Sequence, residues 1–338
     1  MAKREEIGYF CSFTPKELIK SAGFLPVRVL ADERPISLAN AHIQSYCCSQ
    51  VKGPLEKMLT GDLNLKGAVF TRSCDSLMRL TDIWDLNSKM EVYDLEFPTN
   101  INERSRNYFV EELYRFKEWL EKLSGREISF EDLKGSIDLY EELEKILYDV
   151  YDIKPDYELT LRAETRDVEE VIREGKSRLK QLKKANTQNS KAKVLVTGSV
   201  CPFLEVYKLI ESVGFSIVDD LCTGTRFFKS DVEKREIKDM EDAMGFLADK
   251  YFLKAPCPTK NYEGDRRFKY LLDRAQKVDG VVFILLKFCE PHLFDYAQLK
   301  KELGSRGKRT LLLELEFPIA SLEQLRTRLE AFYEMAVS

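Results

Sequence analysis

Eight cysteines are the residues of this 338-residue sequence best suited to chemistry. Histidine occurs at only two positions, His42 and His292. This argues against mixed histidine–cysteine zinc sites and histidine-based acid–base triads. The sequence has no Cys-x-x-Cys pair, and this argues against a zinc ribbon or finger. In a reducing cytoplasm cysteines rarely form structural disulfides. We therefore expect metal ligation or redox chemistry by thiols that converge from distant parts of the chain.

Six of the cysteines lie in surroundings that suit an iron–sulfur cluster. A lone cysteine is usually a small core residue, but a core role predicts positions inside strands and on apolar helix faces. These cysteines instead lie beside proline, glycine, serine and acidic residues, as in PCP at 256–258 and SCD at 73–75. Thiolates in loops have free backbone amides nearby, and such amides stabilise the negative charge of a cluster. The candidate ligands are Cys11, Cys48, Cys74, Cys222, Cys257 and Cys289.

The other two cysteines are weaker candidates. Cys47 is adjacent to Cys48, and neighbouring side chains rarely both reach one cluster, so we favour Cys48 and leave the choice open. Cys201 precedes Pro202 at a predicted helix start, where a spare ligand role and a core role are both open.

The elements that position these thiols are repeated along the chain. Three short segments occur twice in the same order: LIKSAGF and LIESVGF at 18–24 and 209–215, KGAVF and DGVVF at 66–70 and 279–283, and LEFP at 95–98 and 315–318. A helix that ends at glycine and leads into a buried strand explains the first pair, because glycine supplies the left-handed cap. Each half alternates short apolar strands with amphipathic helices. We predict an α/β fold with two duplicated, doubly wound parallel sheets.

Strand signals fade in the middle of the chain. Apolar residues recur at helical spacing in residues 107–123 and 130–151. Residues 168–184 predict a charged helix with a solvated face, and residues 185–191 a polar linker. The predicted domains are an N-terminal α/β domain at 1–100, a helical connector at 101–190 and a C-terminal α/β domain at 191–338.

Parallel sheets place functional groups at the carboxyl ends of their strands. Three candidate cysteines follow predicted strands: Cys74 after residues 67–71, Cys222 after residues 215–221 and Cys289 after residues 281–286. Cys11 lies at the turn before the first helix, and Cys48 and Cys257 lie in loops ahead of a helix. We therefore expect the six thiols on the functional rim of the two sheets.

Charge and composition exclude several classes of function. The net charge is −4 and no Lys/Arg stripe appears, so nucleic-acid binding is not expected. The longest apolar run, residues 281–286, is too short to span a bilayer, and the first residues lead into no signal-peptide core. We expect a cytoplasmic protein. Without a Walker or Gly-x-Gly-x-x-Gly sequence, ATP and NAD are not expected to bind through these familiar loops.

Six segments that span nearly the whole chain carry a family resemblance. They are GYFCSFTPKELI at 8–19, SCDSLMRL at 73–80 followed by Trp84, CTGTR at 222–226, PCP at 256–258, LKFCE at 286–290 and QLRTRLEAF at 324–332. Together they resemble the 2-hydroxyacyl-CoA dehydratase D-component family, which also includes benzoyl-CoA reductase subunits and double-cubane cluster proteins.

The resemblance implies two flavodoxin-like domains that clamp an iron–sulfur cluster, which a separate ATP-hydrolysing iron–sulfur activator reduces. In single-cluster members three cysteines hold a [4Fe–4S] cluster, and the matching residues here are Cys48, Cys74 and Cys289. The additional Cys11, Cys222 and Cys257 resemble the branch with a double-cubane [8Fe–9S] cluster, which needs three thiolates per cubane. The assignment of individual cysteines to a cubane stays open.

We expect the chain to perform ATP-coupled, low-potential reduction of a small-molecule substrate, with homodimerisation implied by the resemblance. The alternatives are a [4Fe–4S] subunit of an acyl-CoA dehydratase or benzoyl-CoA reductase, a non-catalytic electron-relay or assembly subunit, and a zinc-bound structural protein. Arg72, Arg226 and Lys287 are candidates to offset cluster charge, and His292 to donate protons; a solvated loop role is the alternative for each.

Overall fold

The structure is a computed structural model that describes residues 4–184, 192–260 and 266–337. The predicted linker at residues 185–191 lies outside the described residues.

The first half of the chain forms a four-stranded sheet with helices. Its elements are β1 (Glu6–Tyr9), α1 (Lys16–Ser21), β2 (Leu25–Arg28), α2 (Ala39–His42), α3 (Ser49–Leu59), β3 (Gly67–Thr71), α4 (Asp75–Asn87) and β4 (Glu91–Leu95). The strand order is β2-β1-β3-β4, and every pairing is parallel.

The second half repeats this arrangement. Its elements are β5 (Ala192–Gly198), α9 (Leu204–Val213), β6 (Phe215–Asp220), α10 (Thr225–Phe228), α11 (Met240–Phe252), α12 (Arg266–Ala275), β7 (Gly280–Leu286), α13 (Glu290–Ser305), β8 (Arg309–Leu315) and α14 (Leu322–Val337). The order β6-β5-β7-β8 is again wholly parallel and matches the first sheet strand for strand. The predicted fold of duplicated, flavodoxin-like α/β domains is confirmed.

The central strands show why these segments form sheets covered on both faces. All residues of β3 and β7 are buried. β7 is a continuous apolar run and β3 is apolar up to Thr71, as is typical of strands between two layers of helices. In the first sheet, Phe70 faces the core beneath α3 and α4, whereas Val69 faces the opposite core, formed with α1 and the helix at Glu103–Ser124.

Four helices connect the two sheets: α5 (Glu103–Ser124), α6 (Phe130–Tyr151), α7 (Tyr157–Thr165) and α8 (Val168–Lys184). Capping boxes begin α5 at Asn102 and α6 at Ser129. As predicted, α8 buries one side, including Val171, and exposes its charged side. The short helix α7 was not predicted.

The connector is part of the packed core. Helix α11 belongs to the second half in sequence, yet its Phe246 lies in the same buried cluster as Phe109 of α5. The boundaries at residues 100 and 190 stay a prediction, because packing crosses them. Within the described residues, every helix is too short or too polar to cross a membrane.

Candidate functional site

A cavity at the carboxyl ends of both sheets brings six cysteines together. Its lining thiols are Cys11, Cys48, Cys74, Cys222, Cys257 and Cys289. The first three come from the first α/β half and the last three from the second. All eight cysteines of the chain carry free thiols. The convergence expected from the sequence is therefore present, and the role of these thiols as ligands stays a prediction.

Three of the cavity cysteines occupy N-cap positions, and we call them the N-cap cysteines: Cys48 ahead of α3, Cys74 ahead of α4 and Cys289 ahead of α13. The backbone amide three residues later interacts with each thiol and favours its ionised form; these amides belong to Val51, Leu77 and His292. Helix N-termini stabilise negative charge because their first amides have no partner within the helix. One local structure thus occurs three times around the cavity.

The backbone ahead of Cys289 is strained. Phe288, between β7 and α13, has a φ of 65°, in the left-handed region that non-glycine residues rarely adopt. Such a conformation costs about 1–3 kcal/mol and persists only where surrounding structure enforces it. Here it joins a fully buried strand directly to the helix that Cys289 begins.

The other three cavity cysteines lie in loops, and we call them the loop cysteines: Cys11 after β1, Cys222 after β6 and Cys257 after α11. Side chains contact the sulfur atoms of Cys222 and Cys257, and Cys11 interacts with the backbone amide of Phe13. Cys222 Sγ lies 3.6 Å from Ser12 Oγ and 2.9 Å from Arg28 Nη2. Cys257 Sγ lies 3.8 Å from Arg226 Nη1. Both arginines are almost fully buried.

Burial and neighbouring charge control the ionisation of these thiols. Burial raises the pKa of Cys11 and of all three N-cap cysteines, that of Cys74 to about 12. Burial also raises the pKa of Cys222, but Arg28 and Arg226 outweigh it and bring that pKa below its usual value. Crowded, buried thiols ionise readily when metal cations replace their protons, so this donor set fits an iron–sulfur cluster.

The thiols do not converge on one point. Among the described residues, no group of three or more histidine, cysteine, aspartate or glutamate side chains has the spacing to hold a single metal ion. The six sulfur atoms are instead distributed around the cavity wall.

The charged candidates from the sequence differ in burial. Arg226 lines the cavity and is 2% exposed. Arg72 is about half exposed and pairs with Asp94, and Lys287 is similarly exposed and pairs with Glu316. For Arg72 and Lys287 the exposure therefore favours the alternative that they are solvated loop residues and do not offset cluster charge.

His292 also lines the cavity. Burial, together with Arg226 and Arg267, lowers the pKa of His292 well below its usual value. The imidazole is therefore neutral at pH 7.

Arg28 is the cavity residue that sequence reasoning missed. It is the last residue of β2 and the one charged residue in the segment LPVRVL at 25–30. A charged residue at the carboxyl end of an otherwise apolar strand was the available signal, because that end of a parallel sheet carries function.

The two weaker cysteine candidates lie outside the cavity lining. Cys201 is completely buried in the core, and its carbonyl oxygen accepts a hydrogen bond from Thr223 Oγ1 at 3.0 Å. Cys47 is buried, with its Sγ 3.8 Å from Gln44 Oε1, whereas the adjacent Cys48 lines the cavity. The spatial arrangement favours Cys48 over Cys47.

Comparison with known proteins defines the family. The chain belongs to the 2-hydroxyglutaryl-CoA dehydratase D-component family, whose sequence profile matches residues 11–336. It is 28% identical to the (R)-phenyllactyl-CoA dehydratase beta subunit of Clostridium sporogenes, over 98% of this chain and 91% of that protein. It is 30% identical to a benzoyl-CoA reductase subunit of Thauera aromatica, over 88% of this chain and 81% of that protein.

A third relative is the beta subunit of (R)-2-hydroxyglutaryl-CoA dehydratase from Acidaminococcus fermentans, 22% identical over 98% of this chain and 92% of that protein. These relatives are named as subunits of dehydratases and of a reductase. The family expected from the sequence is confirmed, and the chain is a member of a family of enzyme components.

Proposed function

We propose that this chain is the cluster-binding component of an ATP-coupled reductive enzyme, and that six cysteines hold a double-cubane [8Fe–9S] cluster between its two α/β halves. The observation that carries the proposal is the single cavity lined by six thiols, three from each half. Six thiolates give three ligands to each cubane, which is the number of ligands per cubane that the resemblance implies.

We assign the N-cap cysteines to one cubane and the loop cysteines to the other. Two observations support this division. The members of the first set share one local structure, a helix N-terminus. Cys289 and Cys74 affect the pKa of Cys48, and Cys222 and Cys257 affect the pKa of Cys11. Weaker agreement comes from Cys289 and Cys74, whose pKa values are also affected by Cys257.

When bound, such a cluster supplies electron transfer at low potential. The protein sets its charge and access. Backbone amides face the N-cap cysteines, and Arg28 and Arg226 face the loop cysteines. Phe10, Leu77 and Leu286 line the cavity and limit entry of water.

The proposed partners complete the reaction. A separate ATP-hydrolysing iron–sulfur activator supplies single electrons, and a small molecule accepts them. The absence of a Walker sequence from this chain supports a separate ATP-binding partner. We propose that the protein works in the reducing cytoplasm, which the eight free thiols support. We also propose a homodimer, which the family resemblance implies.

A second candidate is a [4Fe–4S] subunit of a dehydratase or reductase that acts on CoA thioesters. The names of the relatives favour it. The N-cap cysteines alone would supply its three ligands and the loop cysteines would be spare thiols. A third candidate, from another class, is an electron-relay or assembly subunit without a substrate.

Anaerobic purification with iron and sulfide analysis tests these candidates. About eight iron atoms per chain support the double cubane, and about four support the [4Fe–4S] subunit. A colourless, iron-free chain after cluster reconstitution overturns both, and a colourless chain with zinc indicates a structural zinc protein. A loaded chain that reduces no substrate when supplied with reductant and activator indicates the relay subunit.

A further inference from the structure

Arg28 links three parts of the molecule at the cavity wall. Its Nη2 lies 2.9 Å from Cys222 Sγ, and its Nη1 donates to the Cys222 carbonyl oxygen at 3.1 Å. The same Nη1 donates to Glu164 Oε2 of α7 at 2.7 Å. Arg28 is 2% exposed, and its Nε is buried without a hydrogen-bond partner in the described part of the chain. The first sheet thus places a guanidinium against a thiol of the second half.

Arg226 adds a second buried guanidinium on this side. Its Nε donates to the Asp220 carbonyl oxygen at 3.0 Å, its Nη2 donates to the Gly198 carbonyl oxygen, and its Nη1 approaches Cys257 Sγ. Arg226 also lies within electrostatic range of Cys289, whereas Arg28 contacts only the loop set. Substitution of Arg28 therefore tests the difference between the two sets more directly than substitution of Arg226.

The N-cap cysteines have no equivalent contact. Within the described residues, no arginine or lysine nitrogen is hydrogen-bonded to the sulfur of Cys48, Cys74 or Cys289. The positive groups nearest to them are helix N-termini, which carry about half an elementary charge each, against a full charge on each arginine. Arg226 acts on Cys289 and Lys260 on Cys74 without a hydrogen bond to the sulfur. Interactions with a full charge are strong in a buried site because little water screens them.

The carboxylate of Glu164 offsets part of the charge on Arg28. Arg28, however, is the partner in direct contact with Cys222 Sγ. Burial also raises the pKa of Glu164 above its usual value, although Arg28 lowers it. Arg226 is likewise paired, with its Nε 3.9 Å from Asp220 Oδ1. In both pairs it is the guanidinium that contacts a loop thiol.

We infer that Arg28, assisted by Arg226, makes the loop-cysteine cubane the half of the cluster that accepts the incoming electron. The inference rests on the function proposed above. One electron leaves the reduced iron–sulfur activator and enters the cluster, and no covalent bond forms or breaks. Because the cluster becomes more negative, a buried guanidinium against Cys222 favours the reduced form and raises the reduction potential. Arg28 is a positioning residue that acts through this sulfur.

The test is a redox titration of the reconstituted protein, followed by EPR, for the wild type and matched variants. Arg28→Gln and Arg226→Gln should lower the midpoint potential while the iron content stays near that of the wild type. Arg28→Lys should restore most of the wild-type potential. Arg72→Gln, an exposed arginine paired with Asp94, is the control and should leave the potential unchanged.

Glu164→Gln separates charge from structure. Arg28→Gln and Glu164→Gln both break the buried Arg–Glu ion pair, so a purely structural role predicts a fall in potential for both. The electrostatic role predicts a fall for Arg28→Gln and an unchanged or higher potential for Glu164→Gln. If Arg28→Gln loses its iron, Arg226→Gln takes its place in this comparison. The electrostatic role then predicts a lower potential for Arg226→Gln and an unchanged or higher potential for Glu164→Gln.

The outcomes distinguish this inference from the function on which it rests. A loaded wild type whose Arg28→Gln and Arg226→Gln variants keep its potential overturns the inference alone. A fall in potential for Glu164→Gln does the same. A wild type that binds no iron overturns the proposed function and the inference together.

Discussion

The two sets of cavity cysteines stabilise negative charge by different means. Each N-cap cysteine faces a backbone amide at the start of α3, α4 or α13, and Cys289 also faces the hydroxyl of Ser199. In the loop set, guanidinium groups contact Cys222 and Cys257. Almost every substitution leaves the backbone amide in place, whereas a single substitution removes an arginine side chain. The environment of the N-cap cysteines therefore depends mainly on the fold, and that of Cys222 and Cys257 on individual side chains.

The largest expected effect is loss of iron when a cavity cysteine is removed. Cys74→Ala and Cys222→Ala, one from each set, should each lose most of the iron assigned to that set. Cys47→Ala and Cys201→Ala are the matched controls, because both are buried cysteines outside the cavity lining. Iron analysis after anaerobic reconstitution measures the effect. Loss of the cluster from Cys47→Ala would show that Cys47, and not Cys48, is the ligand.

A large effect on stability is expected at Gly198, whose carbonyl oxygen accepts a hydrogen bond from Arg226. Its φ is +137°, and a Cβ there would overlap the carbonyl oxygen of Ile284 on the neighbouring strand. Gly198→Ala should reduce the free energy of unfolding by about 3 kcal/mol.

Gly135→Ala is the matched control for this experiment. Gly135 lies in α6 with no atom within 4 Å of an added Cβ, and the substitution should raise stability by about 0.5–1 kcal/mol. Denaturant unfolding of the cluster-free protein measures both variants. Equal stability of Gly198→Ala and the wild type would contradict the close packing of β5 on β7.

The two sets should also differ in reactivity when no cluster is bound. Arg28 and Arg226 bring the pKa of Cys222 below its usual value despite burial, whereas burial raises the pKa of Cys74 to about 12. The thiolate is the nucleophile, and its fraction rises about tenfold per pH unit below the pKa. Iodoacetamide should therefore label Cys222 at a lower pH than Cys74, whose labelling should still be rising at the highest pH at which the protein stays folded.

Peptide mapping by mass spectrometry measures this labelling. Arg28→Gln should shift the labelling of Cys222 to higher pH and leave that of Cys74 unchanged. Equal pH profiles for both cysteines in the wild type would contradict the electrostatic difference that we infer between the two sets.

The sequence predicted where the thiols lie along the chain more fully than what surrounds them. Cys74, Cys222 and Cys289 each follow a predicted strand, so local sequence indicates their place at the sheet edge. The contact between Arg28 and Cys222 joins residues 194 positions apart through a third segment at Glu164. No local pattern encodes such a contact, because it depends on how the two sheets and α7 pack.

The repeat itself held information about Cys201. The correspondence of Leu18 with Leu209, carried back along the chain, places Cys201 opposite Phe10 and Pro202 opposite Cys11. Phe10 stacks on Phe70 in the core, and Cys201 is fully buried in the same core cluster. The duplication therefore favours the core role of Cys201.

The smallest effect is expected from His292, which separates a backbone role from a side-chain role. Its amide interacts with the thiol of Cys289, and its neutral imidazole lines the cavity. His292→Ala keeps the amide and should leave iron retention unchanged. His292→Pro removes the N–H at a first-turn position, where the helix loses no internal hydrogen bond. An interaction of about 1 kcal/mol makes iron loss to a chelator about fivefold faster in the proline variant. Equal acceleration in both variants would assign the effect to the imidazole, and the contrast between backbone-stabilised and side-chain-stabilised thiols would then fail at Cys289.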